Sequence, residues 1–188
     1  WDQLRPNRED FFTRYDRKFR TRMPSEKDEK EAELLGDDDI SEAWEQYQTN
    51  IERQMDYFNT SPAYELQKPT VAGRVDPNEN NLAALFFERV FKLVKEDSHV
   101  AQVLPGVIFN GSFSKDLRLK MLNDTKIRSL VTFENKGIFE GIDNRYNFGI
   151  VTFDNDGETD TLRGIFQQQN VDILQNIGEE AIEIPKRV

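Results

Sequence analysis

The sequence predicts a mixed α/β domain, and three observations predict it. Residues 100–104 form a short, largely apolar run closed by Pro105-Gly106, which reads as a buried strand ending where a loop begins. Ahead of it, residues 80–95 carry Leu82, Leu85, Phe86, Arg89, Val90 and Leu93 along one helical stripe and Phe87, Phe91 and Val94 along a second. Such a helix is buried between layers, and it runs straight into the strand. After the strand, residues 127–133 and 148–153 read as two more strands, separated by a loop that holds Gly137 and Gly141. The last two are expected to be antiparallel, because a return through a loop of this length needs no crossover helix. All three strands are expected in one sheet. Between the first two lies a helix with Leu117, Met121 and Leu122 at helical spacing and Ser112 or Ser114 as its cap.

The N-terminal elements are less regular. Residues 8–22 place Phe11, Phe12, Tyr15 and Phe19 at spacings of three and four, with Arg14, Arg17, Lys18, Arg20 and Arg22 around the other sides. The segment reads as a packed amphipathic helix with solvated arginines; functionally, its cations suit a phosphate backbone. Residues 23–39 are highly charged, with Leu34 and Leu35 as their large aliphatic residues, so a mobile loop or marginal helix is expected. Residues 40–59 read as a helix capped by Ser41, with Ala43, Trp44, Tyr47, Ile51, Met55 and Phe58 on the packing face. Residues 60–77 form a connector in which Pro62, Pro69, Gly73 and Pro77 break any regular element.

Composition narrows the function classes. With 188 residues, one domain or part of one is expected. The absence of cysteine excludes disulfides, thiolate zinc sites and cysteine nucleophiles, and fits a cytoplasmic location. No run approaches the roughly 18 apolar residues of a spanning helix, so no membrane association is expected. A formal charge of −10 argues against a uniformly basic nucleic-acid-binding surface but leaves room for a local basic patch.

Few residues offer chemistry by themselves. His99 is the only histidine and has no nearby acid in sequence to orient it, so it reads as structural. Asp37-Asp38-Asp39 stands on a hydrophilic segment rather than facing a pocket, so no metal site is expected. Gly106 and Gly111 fit no phosphate-binding fingerprint. The aromatic residues Phe109, Phe113, Phe139, Tyr146 and Phe148 fall near the strand ends, where ligands of twisted α/β sheets bind. Most read as core. Phe139 differs because it follows Gly137 in a polar loop, where a flat ring can stack on a nucleobase.

Five segments in a fixed order carry a family resemblance. They are Asn81-Leu-Ala-Ala-Leu-Phe-Phe-Glu-Arg89, Val100-Ala-Gln-Val-Leu-Pro-Gly106, Asp116-Leu-Arg-Leu-Lys-Met-Leu122, Phe133-Glu-Asn-Lys-Gly-Ile-Phe139 and Arg145-Tyr-Asn-Phe-Gly-Ile-Val151. Together they resemble the later half of the catalytic domain of adenine-N6 DNA methyltransferases, above all the large methylase subunits of restriction–modification and phage-defence systems. The resemblance implies a partial Rossmann-like (class I) methyltransferase fold, the later half of its sheet with an antiparallel last strand. Residues 1–154 would be catalytic domain, residues 23–79 a helical and loop insertion, and residues 155–188 a connector towards a target-recognition region.

The opening Trp1-Asp2 would follow the family's Asn-Pro-Pro, so the chain is expected to begin inside that motif and to be inactive without the preceding half. By resemblance, Trp1 stacks on one face of an extruded adenine and Phe139 on the other, with Tyr146 as the next candidate. The same resemblance implies S-adenosylmethionine as cofactor and Leu82 as a residue that would line its pocket. The implied partners are DNA, the N-terminal methyltransferase half, and specificity or nuclease subunits. A different class, a non-catalytic acidic α/β module that binds a partner protein, is the alternative reading.

Overall fold

Phe11, Phe12 and Phe19 organise the N-terminal part of the computed structural model, which describes residues 3–75 and 80–186. The chain divides into two units, Gln3–Ser61 and the chain from Pro62 onward. In the first, helix α1 (Arg8–Phe12) starts at Asn7, whose side chain accepts the Glu9 and Asp10 N–H groups at 2.9 and 3.3 Å. The single helix expected over residues 8–22 does not form. The Asp16 carboxylate accepts the Lys18 N–H at 3.0 Å and Arg22 Nε at 2.7 Å, local bonds that compete with helix, and a short 3-10 turn follows at Phe19–Thr21.

Helix α2 (Pro24–Leu34) occupies the segment expected to be a loop or marginal helix. It buries no residue and begins with proline, with Glu26 accepting the Met23 N–H at 3.0 Å. Helix α3 (Asp38–Thr60) is capped by Asp37, which accepts the Asp39 and Ile40 N–H groups; Ser41, the expected cap, lies inside the helix. Its Trp44 ring lies 4.8 Å from Phe11 and 5.0 Å from Phe12, closing an aromatic core with Phe19 and Tyr47.

The second unit opens with a two-strand hairpin, β1 (Thr70–Val71) and β2 (Arg74–Val75), in a connector expected to hold no regular element. Its turn places Ala72 and Gly73 at φ of 50° and 79°. Both are left-handed, the geometry a two-residue hairpin loop prefers. Helix α4 (Leu82–Leu93) is capped by the Asn81 side chain, which accepts the Ala84 N–H at 3.2 Å. Its Ala84 and Phe87 join the sheet core. Phe86 and Leu93, expected to be buried, are each 71% exposed, so one side of this helix is covered and the other is not.

A five-stranded sheet follows, with order β3-β5-β4-β6-β7. Its strands are β3 (His99–Pro105), β4 (Lys126–Glu134), β5 (Asn147–Asp154), β6 (Thr161–Gln168) and β7 (Ile182–Pro185). Three pairings are antiparallel, and β4 with β6 is parallel. The three expected strands thus share one sheet, with the last antiparallel to both neighbours. The sheet continues beyond Asp154, into residues expected to be a connector.

Short helix α5 (Val107–Asn110) and helix α6 (Lys115–Asp124) cross from β3 to β4 and, with α4, cover one sheet face through Ile108, Leu117 and Met121. Ser114 precedes α6 as expected, but its side chain makes no capping bond. On the other face, Val131, Phe133, Phe148 and Ile165 pack against Ile173, Leu174 and Ile177, the last belonging to helix α7 (Ile177–Glu180).

Candidate functional site

The register brings the carboxyl ends of β3 and β4 together with the start of β5. Pro105 and Phe133 both lie opposite Phe148, and Glu134 lies opposite Asn147. Gly106 comes so close to β5 that its N–H donates to the Asn147 carbonyl at 2.7 Å. A Cβ there would sit 3.0 Å from Asn147 atoms, so glycine is the residue that permits this approach. Gly149 is tighter, since an added Cβ would fall 2.5 Å from the Phe109 ring. Gly149→Ala is expected to lower stability by about 1–3 kcal/mol, checked by urea unfolding, because the ring must leave its packed position.

The loop between β4 and β5 is built around Asn135. This side chain is 1% exposed, accepts the Phe139 N–H at 2.9 Å and donates to the Ile142 carbonyl at 3.0 Å. Its own N–H reaches the Tyr146 carbonyl at 3.2 Å. A single buried amide therefore satisfies backbone groups on both limbs of the loop and fixes its path. Sequence reasoning missed Asn135; the signal was a polar residue between an apolar strand and a glycine turn.

Phe139 is held where its ring meets Phe148 edge-on at 4.8 Å, while Phe148 stacks on Phe133 at 5.0 Å. Phe148 is core, but Phe139 remains 37% exposed and presents ring surface to solvent. Tyr146 is 61% exposed. It borders an open cleft of about 520 Å³ that is also lined by Asn81, Pro105, Gly106, Ile142 and Asp143. A second, more apolar groove of about 400 Å³ shares Gly106, Asn110 and Asn147 and runs past Phe109 and Met121 to Phe166. Arg118 borders it and donates to the Ile108 and Gly111 carbonyls at 3.0 and 2.6 Å; burial lowers its pKa. Phe139 lines neither cavity; the sheet edge carries its exposed ring on the same loop whose Ile142, Asp143 and Tyr146 border the polar cleft, and that cleft suits a hydrogen-bonding ligand.

Asp143 is clamped by Arg145. The guanidinium Nη2 lies 2.7 Å from one carboxylate oxygen and the Arg145 N–H 2.9 Å from the other. The side-chain bonds first, and the backbone bond second, pull Asp143 down to about 2. Its folded pKa is depressed, so the clamp contributes fully above the ordinary carboxylate range and is lost as pH falls towards 2. A carboxyl-carbon NMR titration is expected to give a midpoint of about 2 for Asp143, and Arg145→Ala to return it towards the ordinary range.

The predicted site residues are distributed unevenly. Phe139 and Tyr146 lie on the same loop at the same sheet edge, whereas Trp1 lies outside the described residues. Leu82 is the first residue of α4, half-buried and next to Asn81 of the cleft. His99 differs from expectation. Its Nδ1 lies 2.5 Å from Asp154, the residue opposite it on β5, and Asp154 also accepts Arg128 Nε at 2.6 Å. Among the described residues, no group of three or more His, Asp or Glu side chains is placed to hold a metal ion. No described helix is long and apolar enough to cross a membrane.

The fold and this sheet edge define a mixed α/β domain with an open cleft at its strand ends, and comparison with known proteins gives the class. The profile of the Eco57I restriction-modification methylase matches residues 26–139. It spans more than half of the chain, which therefore belongs to that restriction–modification methyltransferase family.

No match is found among curated proteins. Among solved structures, the chain is similar to a protein described as a modification subunit of a type I restriction enzyme from Vibrio vulnificus YJ016. Identity is 15%, with a TM-score of 0.46, covering 55% of this chain and 27% of that one. It is also similar to a chain from a structure concerned with complex assembly and conformational transition of a type I restriction–modification system. There identity is 13% and the TM-score 0.46, covering 63% of this chain and 32% of that one. The chain thus spans no more than about a third of the length of either.

Proposed function

We propose that this chain is the later part of the catalytic domain of a cytoplasmic, S-adenosylmethionine-dependent DNA adenine-N6 methyltransferase in a restriction–modification or phage-defence system. Its substrate is an adenine extruded from duplex DNA, since the reacting nitrogen is unreachable inside the stack. The observation that carries the reading is Phe139. Within the segment that matches the methylase family, this ring is held by Asn135 and seated on Phe148, with part of its surface free to stack. Phe139 forms one wall of the adenine slot and Trp1 the other, with Tyr146 bordering the entrance.

The methyl donor is held mainly by the preceding half of the domain. This chain offers it the half-buried, apolar Leu82, which suits the edge of a purine ring and carries no charge. Among the described residues β3 is an edge strand, and that edge is where the preceding half completes the sheet. Specificity or nuclease subunits join the whole protein, and the chain alone transfers no methyl group.

In the full-length protein, Phe139→Ala is expected to slow methyl transfer about 10-fold to 100-fold, the equivalent of one lost stacking contact. S-adenosylmethionine affinity, measured by calorimetry, stays within about twofold, because the ring touches only the base. Equal loss of donor binding would contradict the assignment of Phe139 to the base.

A further inference from the structure

We infer that the turn at residues 14–18 is a docking point for the phosphate backbone of duplex DNA, separate from the cleft that takes the base. The break in the expected helix makes this turn. Phe12 and Phe19, both fully buried, pin its two ends, and the Tyr15 and Asp16 N–H groups bond the Phe12 carbonyl at 3.0 and 2.9 Å. Arg14, Arg17 and Lys18 are thereby exposed on a fixed scaffold rather than on a floppy arm. Tyr15 in the same turn is 46% exposed, with its ring 5.5 Å from that of Phe11.

In Gln3–Ser61 the cations without a salt bridge among the described residues are Arg5, Arg14, Arg17, Lys18 and Arg53, and three of the five fall together in this turn, where Arg14 also lies 5.9 Å over the Phe11 ring. Arg8, Arg20, Arg22, Lys27 and Lys30 are each neutralised by a carboxylate. The one acid within the turn, Asp16, is already engaged by Arg22, which lowers its pKa and removes it as a partner for the neighbouring cations. Among the described residues, Arg14, Arg17 and Lys18 have no salt bridge, although carboxylates abound in this unit. A chain with net charge −10 is repelled by DNA unless its cations are gathered on one face. Guanidinium groups suit phosphate oxygens in particular, because they donate two parallel hydrogen bonds. Such contacts carry affinity and orientation, not sequence.

The partner class rests on the DNA reading above, and the test separates the two. Binding of the full-length protein to a labelled duplex of arbitrary sequence is measured by fluorescence anisotropy across salt concentrations. Three lost phosphate contacts are expected to flatten the slope of log K against log salt by about 2.7 in the variant Arg14→Gln/Arg17→Gln/Lys18→Gln. The control Arg53→Gln/Arg74→Gln/Lys95→Gln makes the same change in net charge at exposed sites that have no salt bridge among the described residues. Its slope is expected to stay within about 0.5 of the parent. Methyl transfer at saturating DNA is expected to be unchanged in the turn variant, while the DNA concentration for half-saturation rises. Equal slopes for both variants, or no change in either, would overturn the docking assignment. A protein that binds DNA with the predicted slope loss yet methylates nothing would sink the methylase reading and leave the docking point standing.

Discussion

Replacing Glu88 by leucine is expected to lower the stability of the sheet-bearing unit by about 4 kcal/mol, the largest single-residue effect on folding expected in this chain. The carboxylate is 1% exposed on α4, and it accepts the Glu65 N–H at 2.7 Å, the Leu66 N–H at 3.1 Å and Gln67 Nε2 at 2.6 Å. Three buried or half-buried donors lose their acceptor when it is removed, and each unmatched donor costs about 1–3 kcal/mol. Leucine fills the volume, so the loss reports the hydrogen bonds rather than a cavity. Glu88→Gln keeps an acceptor oxygen but sets its amide hydrogens against donors, and is expected to cost about 2 kcal/mol. Urea unfolding of both variants measures the difference; a leucine variant within about 1 kcal/mol of the parent would show that the connector at residues 65–67 is not fixed by Glu88.

Asn135→Ala is expected to give the largest effect on activity, a loss of about 100-fold in methyl transfer by the full-length protein. The alanine removes the acceptor for the Phe139 N–H and the donor to the Ile142 carbonyl, so the ring shifts relative to the base. Misplacement by about 1 Å is enough to cost that factor. Stability falls by about 2–3 kcal/mol as well. Asn135→Asp separates the two roles, because it still accepts the Phe139 N–H but sets a carboxylate against the Ile142 carbonyl. It is expected to be as unstable as the alanine variant. Phe139→Ala combined with Asn135→Ala should be little worse than either alone if Asn135 acts through Phe139.

What the sequence made legible was local. The strands at residues 100–104, 127–133 and 148–153 stand out as short runs rich in β-branched and aromatic residues, and the structure extends each by one residue at both ends. Strands β6 and β7 carry no such local pattern. Gly164 interrupts the apolar alternation of β6, and the pairing that defines this strand is parallel to β4, more than thirty residues away. Phe11, Phe12 and Phe19 were legible as core but not as the two sides of a turn, because the break depends on Asp16 reaching Arg22.

Asp37 is hard to see as a cap because the apolar pattern of this helix begins only at Ile40. Asp38 and Asp39 lie in the first turn, where their charge favours the helix dipole. The His99–Asp154 contact was hidden for the same reason as β6: its partners are 55 residues apart and meet only through strand register. At the candidate site, Phe139 was singled out by its glycine-bearing loop, whereas Asn135 acquires its role only when the loop closes back on it.

The product of the reaction tests the central claim most directly. The full-length protein is incubated with duplex DNA and S-adenosylmethionine carrying a labelled methyl group. The DNA is then digested to nucleosides and separated by liquid chromatography with mass detection. The label is expected in N6-methyldeoxyadenosine, and the 188-residue chain alone is expected to transfer none. Label in 5-methyldeoxycytidine, or no labelled nucleoside from a protein that binds both DNA and the methyl donor, would contradict it.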